Sequence, residues 1–404
     1  MLDKLTSINL GSAVWTLMAL RGAVVAVNFV VMVWLAYWLG LTSFGVVAHA
    51  WAIASVTSTV VAAGGPLVLL RGSPEASLRQ FLSVGLLYPA VLAIMIGAGL
   101  FALGAGQNWT IPVVLAFAIN LSQCAASVMR ARGSQVASMF VRDGLPIIVL
   151  GAVALWPATP EQIILRAAVA LSLLCILALL IGGLQARTLA GRGTGPTKQG
   201  SLWLSSLLGM AVAQADLVVA GMFLPVEIFA IYALLRRVAN LVALPVTVAT
   251  WVCSGSVSDA FARSDKAALY RAATRANAIA WYPALVLSFA IGLGAIVLHD
   301  LVPSGWFPTF AVLLAASQMQ AYWAAGYPVA NLGPDPGLAV SARATVLALY
   351  GVAVLAVGVN LSASGHALAY ALAISAGSFQ LWYQLKRRFA VDTSARALWA
   401  GARV

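Results

Sequence analysis

Twelve apolar runs of helical length fill the sequence, and no other feature limits the possible folds as much. They lie at 13–39, 44–70, 79–103, 110–130, 143–156, 162–185, 202–224, 228–252, 277–299, 307–330, 340–360 and 365–385, separated by Gly, Pro or charged residues. A bilayer core about 30 Å thick takes roughly 20 apolar residues per helical span. In lipid the backbone must satisfy its own hydrogen bonds, which helices do segment by segment. The runs predict an all-α polytopic membrane protein of about twelve transmembrane helices, with almost nothing left for a soluble domain. Only 8% of the 404 residues are charged, against about 25% in soluble domains. The fifth run is short for a span, interrupted by Pro146 and flanked by Arg142 and Asp143.

The formal charge of +12 would suggest nucleic acid in a soluble protein. In a polytopic chain it reads as a topology signal, because basic loops resist translocation and sit against anionic lipid. With the N-terminus placed in the cytoplasm, 19 of the 23 Lys and Arg residues fall on the inner side, from Lys4 to Arg403. The outer loops carry no Lys or Arg, only Glu161, Glu227 and Asp300. That bias predicts an even number of helices, two cytoplasmic termini and no nucleic-acid partner. The first apolar run lacks a small-residue cleavage site and is expected to be retained as a span.

Cys124, Cys175 and Cys253 lie in or beside apolar runs, with no metal-ligand spacing to the three histidines. They read as small buried hydrophobes rather than a disulfide set. No Gly-x-x-x-x-Gly-Lys-Ser/Thr motif occurs, so ATP hydrolysis by a phosphate-cradling loop is not expected. No metal, no cofactor and no enzymatic activity is expected.

The chain repeats itself. Tyr88-Pro89-Ala90 opens a run ending in Ile96-Gly97-Ala98-Gly99, and Tyr282-Pro283-Ala284 opens one containing Ile291-Gly292-Leu293-Gly294. Ser122-Gln123 recurs at Ser317-Gln318, and Trp109 at Trp306. The halves read as homologous six-helix lobes, 1–190 and 201–390, joined by a polar, Gly-rich cytoplasmic linker at 191–200 and followed by a cytoplasmic tail at 391–404. An even lobe gives a parallel repeat about an axis along the membrane normal, with a substrate path between the lobes.

These features resemble the oligosaccharide flippases, the Wzx-like polysaccharide branch of the multidrug/oligosaccharidyl-lipid/polysaccharide (MOP) exporter superfamily, whose fold is MATE/MOP-like. A first hairpin turning at Leu-Gly-x-x-x-Phe-Gly is frequent there, and here reads Leu39-Gly40-Leu41-Thr42-Ser43-Phe44-Gly45. A Gln or Asp near the end of the seventh helix, a Pro/Glu turn, then Tyr and Arg in the eighth is matched by Gln214-Ala215-Asp216, Leu224-Pro225-Val226-Glu227 and Tyr232 with Arg236-Arg237. Ser258 to Lys266 resembles the cytoplasmic loop after the eighth helix. The chain departs from the pattern at Phe229-Ala230, where Gly usually precedes the Tyr, and at Gly333-Pro334-Asp335-Pro336-Gly337. The resemblance implies translocation of a polyprenyl-pyrophosphate oligosaccharide across a bacterial inner membrane by alternating access. It also implies coupling to an H⁺ or Na⁺ gradient, and contact with polysaccharide polymerase or export machinery.

A charge at membrane depth is expensive and marks function by default. Arg21 lies about nine residues into the first helix, roughly 13 Å at 1.5 Å per residue, too deep for a simple flanking anchor. Its planar fork suits the pyrophosphate that the resemblance implies; snorkelling to the inner surface is the bland alternative. Asp216 and Arg236 are ten residues either side of a turn near Val226, which puts them at one depth in an antiparallel hairpin. A buried ion pair is one reading; an exchangeable H⁺ or Na⁺ on Asp216, with Gln214 lining the same wall as a substrate-binding residue, is the other. Arg237 points about 100° away from Arg236, so one is expected to meet substrate and the other Asp216. Arg166 reads as an interfacial anchor, and Trp38, Trp109, Trp156 and Trp306 as an aromatic belt. Four arginines against one aspartate at membrane depth favour an anionic substrate. A cation-coupled multidrug antiporter of the same superfamily is the first rival, and a membrane polysaccharide polymerase or sugar transferase the second.

Overall fold

The computed structural model describes residues 12–66, 69, 81–104, 106–131, 134–185, 199–297, 304–357 and 361–400. The expected linker lies outside these except for Gln199 and Gly200, as do Lys4, Arg71, Arg79, Arg132, Arg187, Arg192, Lys198, Asp300 and Arg403. Among the described residues every regular element is a helix, and nine are long and apolar enough to cross a membrane.

The first helix, Ser12–Ala62, is broken at Gly40, where φ is 76° and ψ 160°. Glycine takes that conformation without strain, so the chain turns there into α1 (12–39) and α2 (41–62), matching the first two runs. Next come α3 (Tyr88–Ala102), led by π-type turns over Phe81–Leu87, and α4 (Gln107–Ala131). The fifth span, α5, is longer than expected: Gln135–Met139, Phe140–Gly144 and Leu145–Val153 run on as one helix. The Phe140–Gly144 stretch is π-helical, and its wider turn accommodates the hydrogen bond that Pro146 cannot donate. Arg142 and Asp143, expected as flanks, therefore lie inside α5 as an ion pair at 3.0 Å.

After α6 (Pro160–Gln185) and α7 (Gln199–Phe223), the eighth span divides into α8 (Val226–Asn240) and α9 (Leu244–Ala262) around a 3₁₀ turn ahead of Pro245. The stretch from Ser258 to Lys266, expected as a loop, is mostly helical: α9 ends at Ala262 and α10 (Lys266–Val297) begins after three residues. Asp265 caps α10, its Oδ1 accepting from the Ala268 amide at 2.8 Å. Arg271 and Arg275 thus stand on a helix rather than in a loop.

The tenth run is also broken, into α11 (Phe307–Tyr322) and α12 (Gly326–Leu332), and is followed by α13 (Gly337–Val357), α14 (Ala363–Phe389) and the short α15 (Ala397–Ala400). With α1 and α2 taken separately, and α11–α12 and the more polar α14 included, each of the twelve runs carries a helix. The unusual 333–337 connection has a structural explanation. Asp335 caps α13 through the Gly337 amide at 3.1 Å and pairs with Arg388 of α14.

The described residues gather into two compact units, Val24–Ala233, and Leu234 onward together with α1 up to Ala23. In the first, α4 packs along α6 and α5 lies beside them. Leu115, Leu121, Cys124 and Ala125 of α4 are wholly buried. Gln123 donates to Ser58 of α2 at 3.5 Å, and Ser122 to the Val141 carbonyl at 2.5 Å. In the second, α9 packs on α10, and α14 on α11 and α13. The fourth-with-sixth pairing of the first half thus recurs as α11 with α14. Small residues such as Ala273, Ala276, Ala280, Ala339 and Ala342 line its core and allow the close backbone approach that membrane helices favour. All three cysteines are buried and free.

The break between α11 and α12 is held by Asn277 of α10. Its Oδ1 accepts from the Ala325 amide at 3.0 Å and its Nδ2 donates to the Ser394 carbonyl at 2.9 Å, while the Ala395 amide donates to the Tyr322 carbonyl at 2.7 Å. The segment after α14 is therefore packed into the unit, with Thr393, Ser394 and Ala395 buried. Asp392 fixes its turn by accepting from Trp382 at 2.8 Å and from the Ser394 hydroxyl at 2.6 Å. Burial works against the Asp392 carboxylate, but the Ser394 and Trp382 donors and the Lys386 charge hold its pKa below the usual value. Replacing Asn277 by alanine orphans one buried amide and one buried carbonyl, each worth about 1–3 kcal/mol. A clear fall in the melting temperature of the purified protein in detergent is the expected outcome.

Candidate functional site

Of the residues expected to carry transport, Gln214 and Asp216 belong to the first unit and Arg21, Arg236 and Arg237 to the second. Asp216, on α7, is fully buried and accepts from the Tyr232 hydroxyl of α8 at 3.0 Å. The spacing that set Asp216 opposite α8 thus brings it a phenol as hydrogen-bond partner. Gln214 is half-buried two residues earlier.

The adjacent arginines differ sharply. Arg236 is 2% exposed. It donates to Asn240 Oδ1 and, at 2.6 Å, to the Tyr370 hydroxyl of α14, and its guanidinium sits 4.7 Å from the Tyr370 ring centroid. Tyr370 stands edge-on to Tyr350 of α13 at 6.0 Å, and the Tyr350 hydroxyl is 3.0 Å from Nδ1 of buried His366. Arg236 is thereby built into a buried aromatic and polar network. Arg237, one residue on and about 100° round the helix, is half-buried, as is Arg21. Arg166 is exposed on α6. Tyr350, Tyr370 and His366 were missed by reading the sequence for charges; the i, i+4 spacing of His366 and Tyr370 on one helix face was the available signal.

A second constellation lies at the ends of the helices that the charge bias assigns to the outside, wholly within the first unit. Here the α1–α2 turn meets the start of α8. The Thr42 hydroxyl donates to Glu227 at 2.8 Å. A Cβ on Gly45 would stand 2.6 Å from the Val226 carbonyl oxygen. One turn further along α2, His49 Nε2 is 3.0 Å from the Val218 carbonyl of α7. Its ring fills the place of a side chain at Gly221, where a Cβ would lie 2.3 Å from the imidazole. The ring stands edge-to-face with Phe229 at 5.6 Å and Trp109 at 6.4 Å. Phe229, a departure from the family pattern, thus packs on His49, and the glycines that allow close approach are Gly45 and Gly221.

Behind this contact lies a cavity of about 340 Å³, whose wall includes His49, Trp109, Glu161 and Phe229. Of the expected belt tryptophans, Trp38 donates to the Ala154 carbonyl at 3.1 Å, Trp156 is exposed, and Trp109 lines this cavity.

No protein-family model matches the sequence, and no curated protein matches it. Solved structures do match along nearly the whole chain. The MATE multidrug transporter DinF-BH is 16% identical, with a TM-score of 0.66 over 94% of this chain and 96% of that one. A MATE transporter in the straight conformation is 14% identical, with a TM-score of 0.60 over 94% and 96%. An outward-facing multidrug resistance MATE family transporter of the MOP superfamily is 13% identical, with a TM-score of 0.51 over 93% and 92%. The chain has the fold of the MATE transporters.

Proposed function

We propose that the protein is an alternating-access flippase that carries a polyprenyl-pyrophosphate-linked oligosaccharide from the cytoplasmic to the outer leaflet of a bacterial inner membrane. The observation that carries this reading is the sign of the charge at membrane depth: arginine at 21, 236 and 237 against aspartate at 216. Arginines at that depth repel cationic solutes and attract a pyrophosphate, and guanidinium stays ionised while offering paired donors to its oxygens. We assign the substrate to Arg21 and Arg237, which are half-buried, and a supporting role to Arg236, which is buried and donates to Tyr370 and Asn240. The polyprenyl tail stays in lipid. Asp216, with Gln214 nearby, holds a coupling H⁺ or Na⁺.

A second reading, a multidrug antiporter, is favoured by the names of the structures that share the fold and by the buried Asp216 carboxylate. A deletion strain separates the two. If the flippase reading is right, the strain accumulates lipid-linked repeat units and loses surface polysaccharide, and wild type but not Arg21→Ala restores it. Unchanged lipid-linked sugar and polymer in the deletion would sink the flippase reading.

A further inference from the structure

We propose that His49 is a proton-binding residue that ties the outer ends of α2 and α7–α8 together when neutral and releases them when it takes up a proton from the outer solution. The proposal rests on the alternating-access reading and names for it a proton site other than Asp216.

The hydrogen bond fixes where the proton goes. Nε2 lies 3.0 Å from the Val218 carbonyl, and a carbonyl only accepts, so Nε2 carries a hydrogen and Nδ1 is the nitrogen left to take another. One proton adds to Nδ1 and no other bond is made or broken. The packing then decides the consequence. The ring is held against α7 where Gly221 has no side chain, with Phe229 of α8 and Trp109 of α4 edge-to-face to it. An imidazolium in such a seam loses much of its hydration without gaining an equal partner. Once α2 and α7–α8 part, the ring is wetted and that cost disappears. The state that tolerates the bound proton better is therefore the parted one, and acid outside shifts the equilibrium toward it.

Two charged groups bear on the ring. Glu161, in the first turn of α6, lines the same cavity and favours the imidazolium; it sets the pH at which release occurs. Glu227 on α8 accepts from Thr42, so part of its charge is already engaged. The residues that α2, α4 and α7 give to the cavity wall, His49 apart, are uncharged. Histidine is the side chain whose ordinary titration falls between about pH 5 and 8, so the contact responds in the range an outer surface meets.

The test uses the full chain in lipid nanodiscs, with Cys124, Cys175 and Cys253 replaced by alanine and spin labels on Leu41→Cys and Ile228→Cys, both exposed positions at the outer ends of α2 and α8. Distances are read by pulsed electron paramagnetic resonance from about pH 8 to pH 5. A one-proton step changes the open-to-closed ratio by at most about tenfold per pH unit. With His49 present, a rise of at least about fivefold is expected across this range. His49→Gln keeps an N–H for Val218 but cannot titrate, and is expected to be flat. Glu161→Gln is expected to move the midpoint to lower pH. Gly45→Leu serves as a wedge that parts the ends at any pH. An unchanged pH response in His49→Gln, or a flat response with His49 present while the wedge opens, overturns the proposal and leaves alternating access standing. A short distance in every sample, the wedge included, overturns the alternating-access reading itself.

Discussion

Replacing Gly45 by leucine is expected to abolish transport while leaving the protein folded and in the membrane. The α carbon of Gly45 faces the start of α8 so closely that even a methyl group would stand 2.6 Å from the carbonyl oxygen and a side-chain carbon of Val226. A flexible side chain could swing aside, but a backbone oxygen at the first turn of a helix cannot. Relief comes only by moving the α1–α2 turn away from α8, which also pulls Thr42 from Glu227 and His49 from Val218. Overpacking of this kind costs about 1–3 kcal/mol, and each 1.4 kcal/mol is about tenfold in a population, so the closed arrangement falls by roughly ten- to a hundredfold. Gly45→Ala should give a partial defect. Export of labelled substrate from cells, normalised to protein in the membrane fraction, reads both.

Arg236 and Arg237 are expected to fail in different ways when replaced by alanine. Removing Arg236 strips Asn240 and Tyr370 of a charged donor and Tyr370 of the cation above its ring. Hydrogen bonds to charged groups are worth about 1.5–3 kcal/mol each, so a loss of about 3–5 kcal/mol and a markedly lower melting temperature are expected. Lysine should not rescue it, because an ammonium lacks the planar fork that bonds and stacks at once. Arg237 is less buried than Arg236, and its replacement by alanine is expected to lower the melting temperature less and to reduce transport at least about tenfold, the loss of one charge-assisted contact in the path. Thermal unfolding in detergent and transport assays on the same two variants check the assignment. Equal destabilisation of both would refute it.

The sequence pattern conveyed much of the fold because each apolar run is a span and lipid leaves a span little choice but helix. The turn at Gly40 was legible because the family signature coincides with a glycine at positive φ. Boundaries were harder. The basic residues of α10 and the ends of α9 looked like loop by hydropathy, yet a helix outlasts its apolar stretch when a cap such as Asp265 satisfies its first amides. The fifth span looked short because Arg142 and Asp143 neutralise each other within it. In the site, charges announced themselves and neutral partners did not. Asp216, Arg236 and Arg237 stand out against an apolar background, whereas Tyr232 is marked only by the hairpin pattern of the family the chain resembles, and Tyr370 and His366 only by their i, i+4 spacing, whose meaning appears once the helices are packed. His49 was silent for the same reason: its significance comes from two glycines, one of them 172 residues away.

The central claim is that a pyrophosphate-linked lipid, rather than a cationic drug, crosses the membrane through this protein. The most direct measurement places the purified chain in proteoliposomes and follows a fluorescent polyprenyl-pyrophosphate oligosaccharide from one leaflet to the other, beside a cationic dye under the same proton gradient. The account predicts that the lipid-linked sugar crosses, that Arg21→Ala and Arg237→Ala slow it at least about tenfold, and that the dye does not move. Movement of the dye with the lipid-linked sugar left in its original leaflet would contradict it.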